Sequence, residues 1–157
     1  ITVLGPRKVY EYLSENPELI VNYPKHDILW NAVLRARKQR DESLTLARET
    51  RTVVEIAGQK YAFGICKGYS SEAGHVLAGG DPNIAAIALD LRHETTGGFN
   101  PSLSLRRADG STINLREIAE KLGGGGHEYA AGGKVPIENL LQVMLAETVR
   151  YCQDKLS

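Results

Sequence analysis

The residues best suited to chemistry are four consecutive glycines followed by a histidine, Gly123 to His127. Glycine has no Cβ, so its backbone N–H groups can approach a bound anion closely and point at it together. An imidazole beside the run can donate a hydrogen bond to a phosphate oxygen. If a short helix starts at His127, its N-terminal dipole also favours phosphate. The alternative interpretation is a flexible glycine linker before a final helix.

The small residues after the histidine complete this candidate site, because a turn can pack closely against a sheet only where side chains are small. The sequence therefore predicts a phosphate-binding loop made of the following residues: Gly123, Gly124, Gly125, Gly126, His127, Ala131 and Gly132.

A second polar group lies about twenty residues earlier, in the segment 102–107. On a strand, Ser102, Ser104 and Arg106 share one face, while the alternate residues share the other. Two hydroxyls and a guanidinium on one face suit phosphate or sugar recognition, because arginine forms paired charge-assisted hydrogen bonds. We expect Ser104 and Arg106 to contribute to the site, although a solvent-facing polar strand has the same pattern.

The elements that must position these residues follow from the hydrophobic pattern. The pattern predicts an α+β domain, with a mixed β-sheet of four to five strands flanked by helices and a helical extension at the N-terminus. The predicted strands are 52–56, 60–66, 84–91, 103–107 and 134–135, with a hairpin turn at Gly58-Gln59. The predicted helices are 6–16, 26–50, 70–78 capped by Ser70 or Ser71, 115–122, and an amphipathic one from residue 137 with Met144 in the core.

Composition limits the class of partner. Nineteen basic and nineteen acidic side chains cancel, which argues against covering a long polyanion but allows a pocket for one or two phosphates. No apolar run reaches the roughly 18 residues of a membrane span. Cys66 and Cys152 are expected to be reduced core residues of a cytoplasmic protein. Because the chain begins with Ile1, we expect it to belong to a longer protein.

The segments quoted above resemble a family when they are taken together. Ser104-Leu105-Arg106 followed by GGGGHEYAAGG resembles the C-terminal DHH-associated domain of DHH-superfamily phosphoesterases, and Tyr69 to Gly74 resembles a helix start found in many of them. The resemblance covers residues 51–136. The family includes exonucleases of single-stranded DNA, nanoRNases, cyclic-dinucleotide phosphodiesterases and relatives labelled as exopolyphosphatases.

The resemblance implies a division of labour between two domains. An N-terminal domain holds two manganese ions and does the chemistry, while the C-terminal domain clamps substrate across a cleft. This sequence has no Asp-His-His segment, and His26, His75, His93 and His127 lack Asp-rich partners. The resemblance thus assigns this chain no catalytic residue, no metal and no cofactor, and predicts that it is inactive alone. Gly124 to His127 and Arg106 match positions that bind substrate phosphate.

The expected organisation is a helical linker or tail of the catalytic domain over residues 1–50, followed by the substrate-binding domain over 51–157. The expected partners are a short oligonucleotide, a nucleotide or another phosphate ligand, together with the protein's own N-terminal catalytic domain. A homodimer with a second copy of the chain is left open.

Two other functions compete with this one. The related C-terminal module of alanyl-tRNA synthetases binds tRNA, but the position of His127 is often arginine there and long coiled-coil helices precede the domain. A pure oligomerisation module is the third possibility. The sequence does not choose among short RNA, single-stranded DNA, a cyclic dinucleotide, a nucleotide and polyphosphate as the substrate.

Overall fold

A computed structural model of the chain describes residues 11, 13–18, 27–91 and 101–156. They belong to two compact units, residues 1–42 and 43–157. In the first unit, residues 11 and 13–15 are helical, and the long helix α1 (Asp27–Glu49) begins there and ends in the second unit. Within the expected helical tail over 1–50, residues 1–10, 12 and 19–26 lie outside the described residues, and so does His93. The predicted division at residue 50 stays a prediction.

The second unit contains a six-stranded mixed sheet, in the order β1-β2-β3-β4-β6-β5. Its elements after α1 are β1 (Thr52–Ile56), β2 (Gln59–Cys66), α2 (Ser70–Ala78), β3 (Ile84–Asp90), β4 (Ser102–Arg107), α3 (Leu115–Lys121), β5 (Gly125–Gly126), β6 (Ala130–Lys134) and α4 (Ile137–Leu156). The predicted α+β class is confirmed. The structure has one strand more than the upper end of the predicted range. The additional strand, β5, consists of two glycines, which have no side-chain pattern that could indicate a strand.

The sheet is mixed because one of its connections is a helix. Strands β2 and β3 are parallel and are joined by α2, as a parallel pair requires a crossover connection. The other neighbouring strands are antiparallel. Strand β3 lies near the middle of the sheet, and nearly all its residues are buried, which matches the continuous apolar run in the sequence.

The core has two layers, one on each face of the sheet. On one face, α2 and the last turns of α1 pack through Leu44, Ala47 and Leu77 against β2 and β3. On the other face, α3 packs through Leu115 and Ala119 against Leu105 and its neighbours. We call these the α2 face and the α3 face. The alternation along β4 therefore places Leu105 on the α3 face, with Ser104 and Arg106 on the α2 face.

Three predicted details are corrected by the structure. The β1–β2 hairpin turns at Ala57-Gly58 rather than Gly58-Gln59, since Ile56 pairs with Gln59. The apolar period after residue 137 does form a helix, but Met144 is 54% exposed and Cys152 is exposed, so neither lies in the core. A 3.6-residue period predicts a face suited to burial without identifying what covers it.

The Ala57-Gly58 turn contains avoidable backbone strain. Both residues have positive φ, 51° and 79°, which is the two-residue hairpin geometry that Asn-Gly prefers. Alanine in this region costs about 1 kcal/mol, whereas asparagine tolerates it. We expect Ala57→Asn to raise the free energy of unfolding by about 0.5–1 kcal/mol, measured by urea denaturation. Ala57→Val is the control, because a β-branched side chain should lower stability at the same exposed position; equal stability of the two variants would contradict this account.

Candidate functional site

Arg106 lies on the α2 face with its guanidinium only partly satisfied. Its Nε donates to Ser71 Oγ at 3.0 Å and its Nη1 donates to the Leu105 carbonyl at 2.7 Å. Among the described residues, no carboxylate forms an ion pair with it. Burial lowers the pKa of the Arg106 guanidinium from its usual value, but arginine keeps its charge in proteins. A partly buried cation with no anionic partner in the described chain is suited to an external anion.

Helix α2 holds this guanidinium in place through a glycine. A Cβ at Gly74 would lie 2.6 Å from Arg106 Cγ and 2.9 Å from its Cβ, so only glycine lets the side chain lie across the helix. The arginine stem then extends toward Ser71 in the first turn of α2. Neither Ser71 nor Gly74 was predicted to take part in the site.

The start of α2 differs from the predicted serine cap. The N-cap is Tyr69, with φ 52°, and no side chain caps the helix. The loop before α2 is instead held by two hydrogen bonds to Gly68. Gly68 N donates to the buried Asp90 carboxylate at 2.8 Å, and the Gly68 carbonyl accepts from Ser43 Oγ at 2.7 Å. The first-turn N–H groups of α2 therefore lie without a side-chain cap next to Ser71 and the guanidinium.

The fold itself requires glycine at three of the four positions in the run, Gly123, Gly124 and Gly126. Gly123 has φ 73° and donates to the Glu120 carbonyl at 3.1 Å, and Gly124 N donates to the Ala119 carbonyl at 2.8 Å, so these two end α3. A Cβ at Gly124 would lie 2.0 Å from the Gly132 carbonyl oxygen. Gly126 has φ 139°, and a Cβ there would lie 2.6 Å from Ala131 Cα.

The predicted short helix over His127–Ala131 is wrong, because this segment is a β-hairpin. His127 N donates to the Ala130 carbonyl at 2.8 Å, and Ala130 N donates back at 3.3 Å. Strand β6 pairs with β4 and buries Ala131 beside Leu105, which a helix at this position could not do. No helix dipole therefore points at the candidate site from His127.

The four glycine N–H groups do not converge as expected, since those of Gly123 and Gly124 bond within the fold. The reciprocal bonds between His127 and Ala130 make the next pair, Gly126 and Ala131, a non-hydrogen-bonded one. The N–H of Gly126 consequently points away from β6, at the edge of the sheet formed by the described strands.

His127 and Arg106 lie in one row across three neighbouring strands. Arg106 pairs with Ala130 in the β4–β6 ladder, and Ala130 is opposite His127 in the hairpin. Directly opposed residues of antiparallel strands point to the same face. Two strand spacings of about 4.8 Å place the two Cα atoms roughly 10 Å apart. We call Arg106, Ala130 and His127 the arginine row. Within this row, only the small side chain of Ala130 lies between the guanidinium and the imidazole.

A second row beside it has almost no side chains. Ser104, Gly132 and Gly125 are paired across the same three strands. A Cβ at Gly132 would lie 2.7 Å from the Leu103 carbonyl oxygen, whereas a Cβ at Gly125 would meet no atom within 4 Å. Gly125 does not have positive φ, whereas Gly123 and Gly126 do. Of the other predicted site residues, Gly123 and Gly124 end α3, and Ala131 lies on the α3 face. We call the hairpin formed by β5, the turn after it and β6 (residues 125–134) the glycine hairpin.

The tip of the hairpin carries an aromatic stack that sequence reasoning missed. The rings of His127 and Tyr129 are stacked, with centroids 5.6 Å apart and planes inclined by 10°. Tyr129 is 61% exposed. The tip is tied to α3, because Leu115 N donates to the Glu128 carbonyl at 2.9 Å. The only sequence signal was an aromatic residue two positions after the histidine.

Neither a metal cluster nor a membrane span is present in the part of the chain that the structure describes. Within these ranges, no group of three or more His, Cys, Asp or Glu side chains could hold a metal ion. No described helix is both long and apolar enough to cross a bilayer.

Residues 80–154 match the family described as the DHHA1 domain. They include β3, β4, the glycine hairpin and most of α4. This segment of the chain is similar to the DHHA1 domain. No protein of curated function matches the sequence.

Several solved structures are similar to this chain. The pGpG-specific phosphodiesterase PggH of Vibrio cholerae is 17% identical, with a TM-score of 0.51 over 83% of this chain and 45% of that one. The chain therefore spans less than half the length of that relative, and at this identity the likeness shows the fold alone.

Two other likenesses are weaker. A DHH domain of a member of the s1p family of ribosomal proteins is 16% identical over 83% of this chain and 34% of that one, with a TM-score of 0.43. The C-Ala domain of Aquifex aeolicus alanyl-tRNA synthetase is 14% identical over 62% and 96%, with a TM-score of 0.40. Neither likeness is close enough to bear on the function of this chain.

The glycine run gives a matched pair of substitutions. We expect Gly124→Ala to lower the free energy of unfolding by about 2 kcal/mol or more, because its Cβ would overlap the β6 backbone. Gly125→Ala should change it by no more than about 1 kcal/mol, since its Cβ enters open space. Thermal and urea unfolding of the two variants measure the difference. Equal loss of stability in both would show that the close approach at Gly124 is not what requires glycine.

Proposed function

We propose that this chain is the substrate-binding part of a DHH-type phosphoesterase and binds the phosphate of a nucleotide or oligonucleotide. The binding surface is the α2 face beside the glycine hairpin. Arg106 and His127 provide the donors from the ends of the arginine row, and the bare backbone of Gly125 and Gly132 forms the floor beside them.

The observation that carries this proposal is the incomplete bonding of Arg106. Two of its nitrogens bond to Ser71 and to a main-chain carbonyl, and Nη2 has no partner among the described residues. Removing a guanidinium partly from water without an anion costs free energy unless a ligand supplies the partner. A phosphate does so, and arginine binds phosphate oxygens with a geometry that lysine lacks.

The ligand we propose is short. The chain has a net formal charge of zero, so it does not gain the counterion release that drives binding to long nucleic acids. We assign one or two phosphates to the small-residue floor beside the arginine row, where Gly125 is exposed and Gly132 is half-buried. We assign the clamping of the other side of the ligand to a catalytic domain outside this sequence, in line with the DHHA1 domain and with the share of the PggH relative that the chain covers.

We also assign the two manganese ions to that other domain. The described residues offer no ligand set that fits them, so no step of the reaction is placed on this chain. Its own contribution is to bind and orient the phosphate, with the guanidinium and the imidazole at the two ends of the arginine row.

Arg106→Lys tests the phosphate site directly. We expect this variant to bind a 5′-phosphorylated dinucleotide about tenfold more weakly, because an ammonium cannot form two parallel hydrogen bonds. Isothermal titration calorimetry or NMR titration of the 157-residue chain measures the change. Arg116→Lys is the matched control, since Arg116 lies on α3 and pairs with Glu120 at 2.8 Å. Equal affinities of both variants and the unchanged chain would remove Arg106 from the site.

The chain alone should not hydrolyse that dinucleotide. Added Mn²⁺ should have no effect, because we place both metal sites in another domain. Product formation followed by chromatography over hours tests this expectation. Manganese-dependent turnover that is lost in His127→Ala and absent from a mock purification would show that the chain is catalytic by itself.

A further inference from the structure

The stacked rings of His127 and Tyr129 at the hairpin tip are not explained by the packing of the fold. Tyr129 is 61% exposed, and its hydroxyl makes no hydrogen bond to a described residue. A tyrosine that stabilises a fold normally buries its ring and pairs its hydroxyl. The imidazole of His127 lies nearly parallel to the tyrosine ring and offset from it, with 10° between the planes and 5.6 Å between the centroids.

The position of this pair relative to the phosphate site is set by the hairpin. His127 ends the arginine row, and Tyr129 lies two residues farther, at the tip. The tip is anchored to α3 by the bond from Leu115 N to the Glu128 carbonyl. An aromatic surface is therefore held beside the phosphate donors, at the end of the row away from Arg106.

We propose that the stacked rings of Tyr129 and His127 form a platform for a nucleobase. Every base has a π-face that stacks on an aromatic side chain without regard to sequence. Inorganic polyphosphate and sugar phosphates have no such face. This inference rests on the proposed function and adds a contact to the base to the phosphate contacts proposed there.

Two ligands that differ only in the base test the platform. Adenosine 5′-monophosphate and ribose 5-phosphate present the same phosphate to Arg106, and only the first can stack. We expect the nucleotide to bind the 157-residue chain about tenfold more tightly, with upfield shifts of its base protons in NMR titrations. Tyr129→Leu should remove most of this advantage and leave the affinity for ribose 5-phosphate unchanged, while Tyr129→Phe should retain it.

The outcomes separate failure of the platform from failure of the phosphate site. If both ligands bind equally and both lose affinity in Arg106→Ala, the phosphate site stands and the platform is wrong. If neither ligand binds, or neither depends on Arg106, the proposed function and the platform fall together. Circular dichroism of each variant confirms that the fold is intact, which the exposure of Tyr129 leads us to expect.

Discussion

The contact on which the site depends is the backbone packing of Gly124 and Gly126 against β6. No Cβ fits at either position, since it would meet the Gly132 carbonyl or the Ala131 backbone. This close approach closes a hairpin directly after α3, and the hairpin places His127 opposite Ala130. Because β6 also pairs with β4, the same packing fixes the separation between the imidazole and Arg106. Gly124 and Gly126 thus shape the sheet itself, and they affect a ligand only through the positions that the sheet gives to His127 and Arg106.

The elements could be predicted where side chains alternate or repeat. The apolar run of β3 and the alternation along β4 indicate both strands, and the alternation alone is enough to place Ser104 and Arg106 on one face. The helices at 70–78 and 115–121 also agree with their patterns. Periodicity is informative there because each side chain has a preferred environment, buried or exposed.

The glycine segment could not be predicted in the same way. Glycine has no side chain to bury, so a run of it is equally compatible with a loop, a helix start and a strand. The pairing of β6 with β4, which joins the hairpin to the sheet, lies outside any local window. Tyr129 was missed for a related reason. Its candidate role depends on stacking with His127, and that stacking depends on the hairpin. Gly74 was missed because its neighbour Arg106 is distant in sequence.

The arginine row joins contacts of very different sequence separation, which bears on how the domain folds. His127 and Ala130 are three positions apart and can meet by local closure of a hairpin, on a time scale of about microseconds. Arg106 and Ala130 are 24 positions apart, so their pairing requires closure of a much longer loop. Non-local pairings of this kind slow folding, because the loop-closure entropy is lost before the contacts between the strands can stabilise the chain. The hairpin is therefore free to form early, whereas the surface that unites guanidinium and imidazole comes into being only when β6 docks on β4.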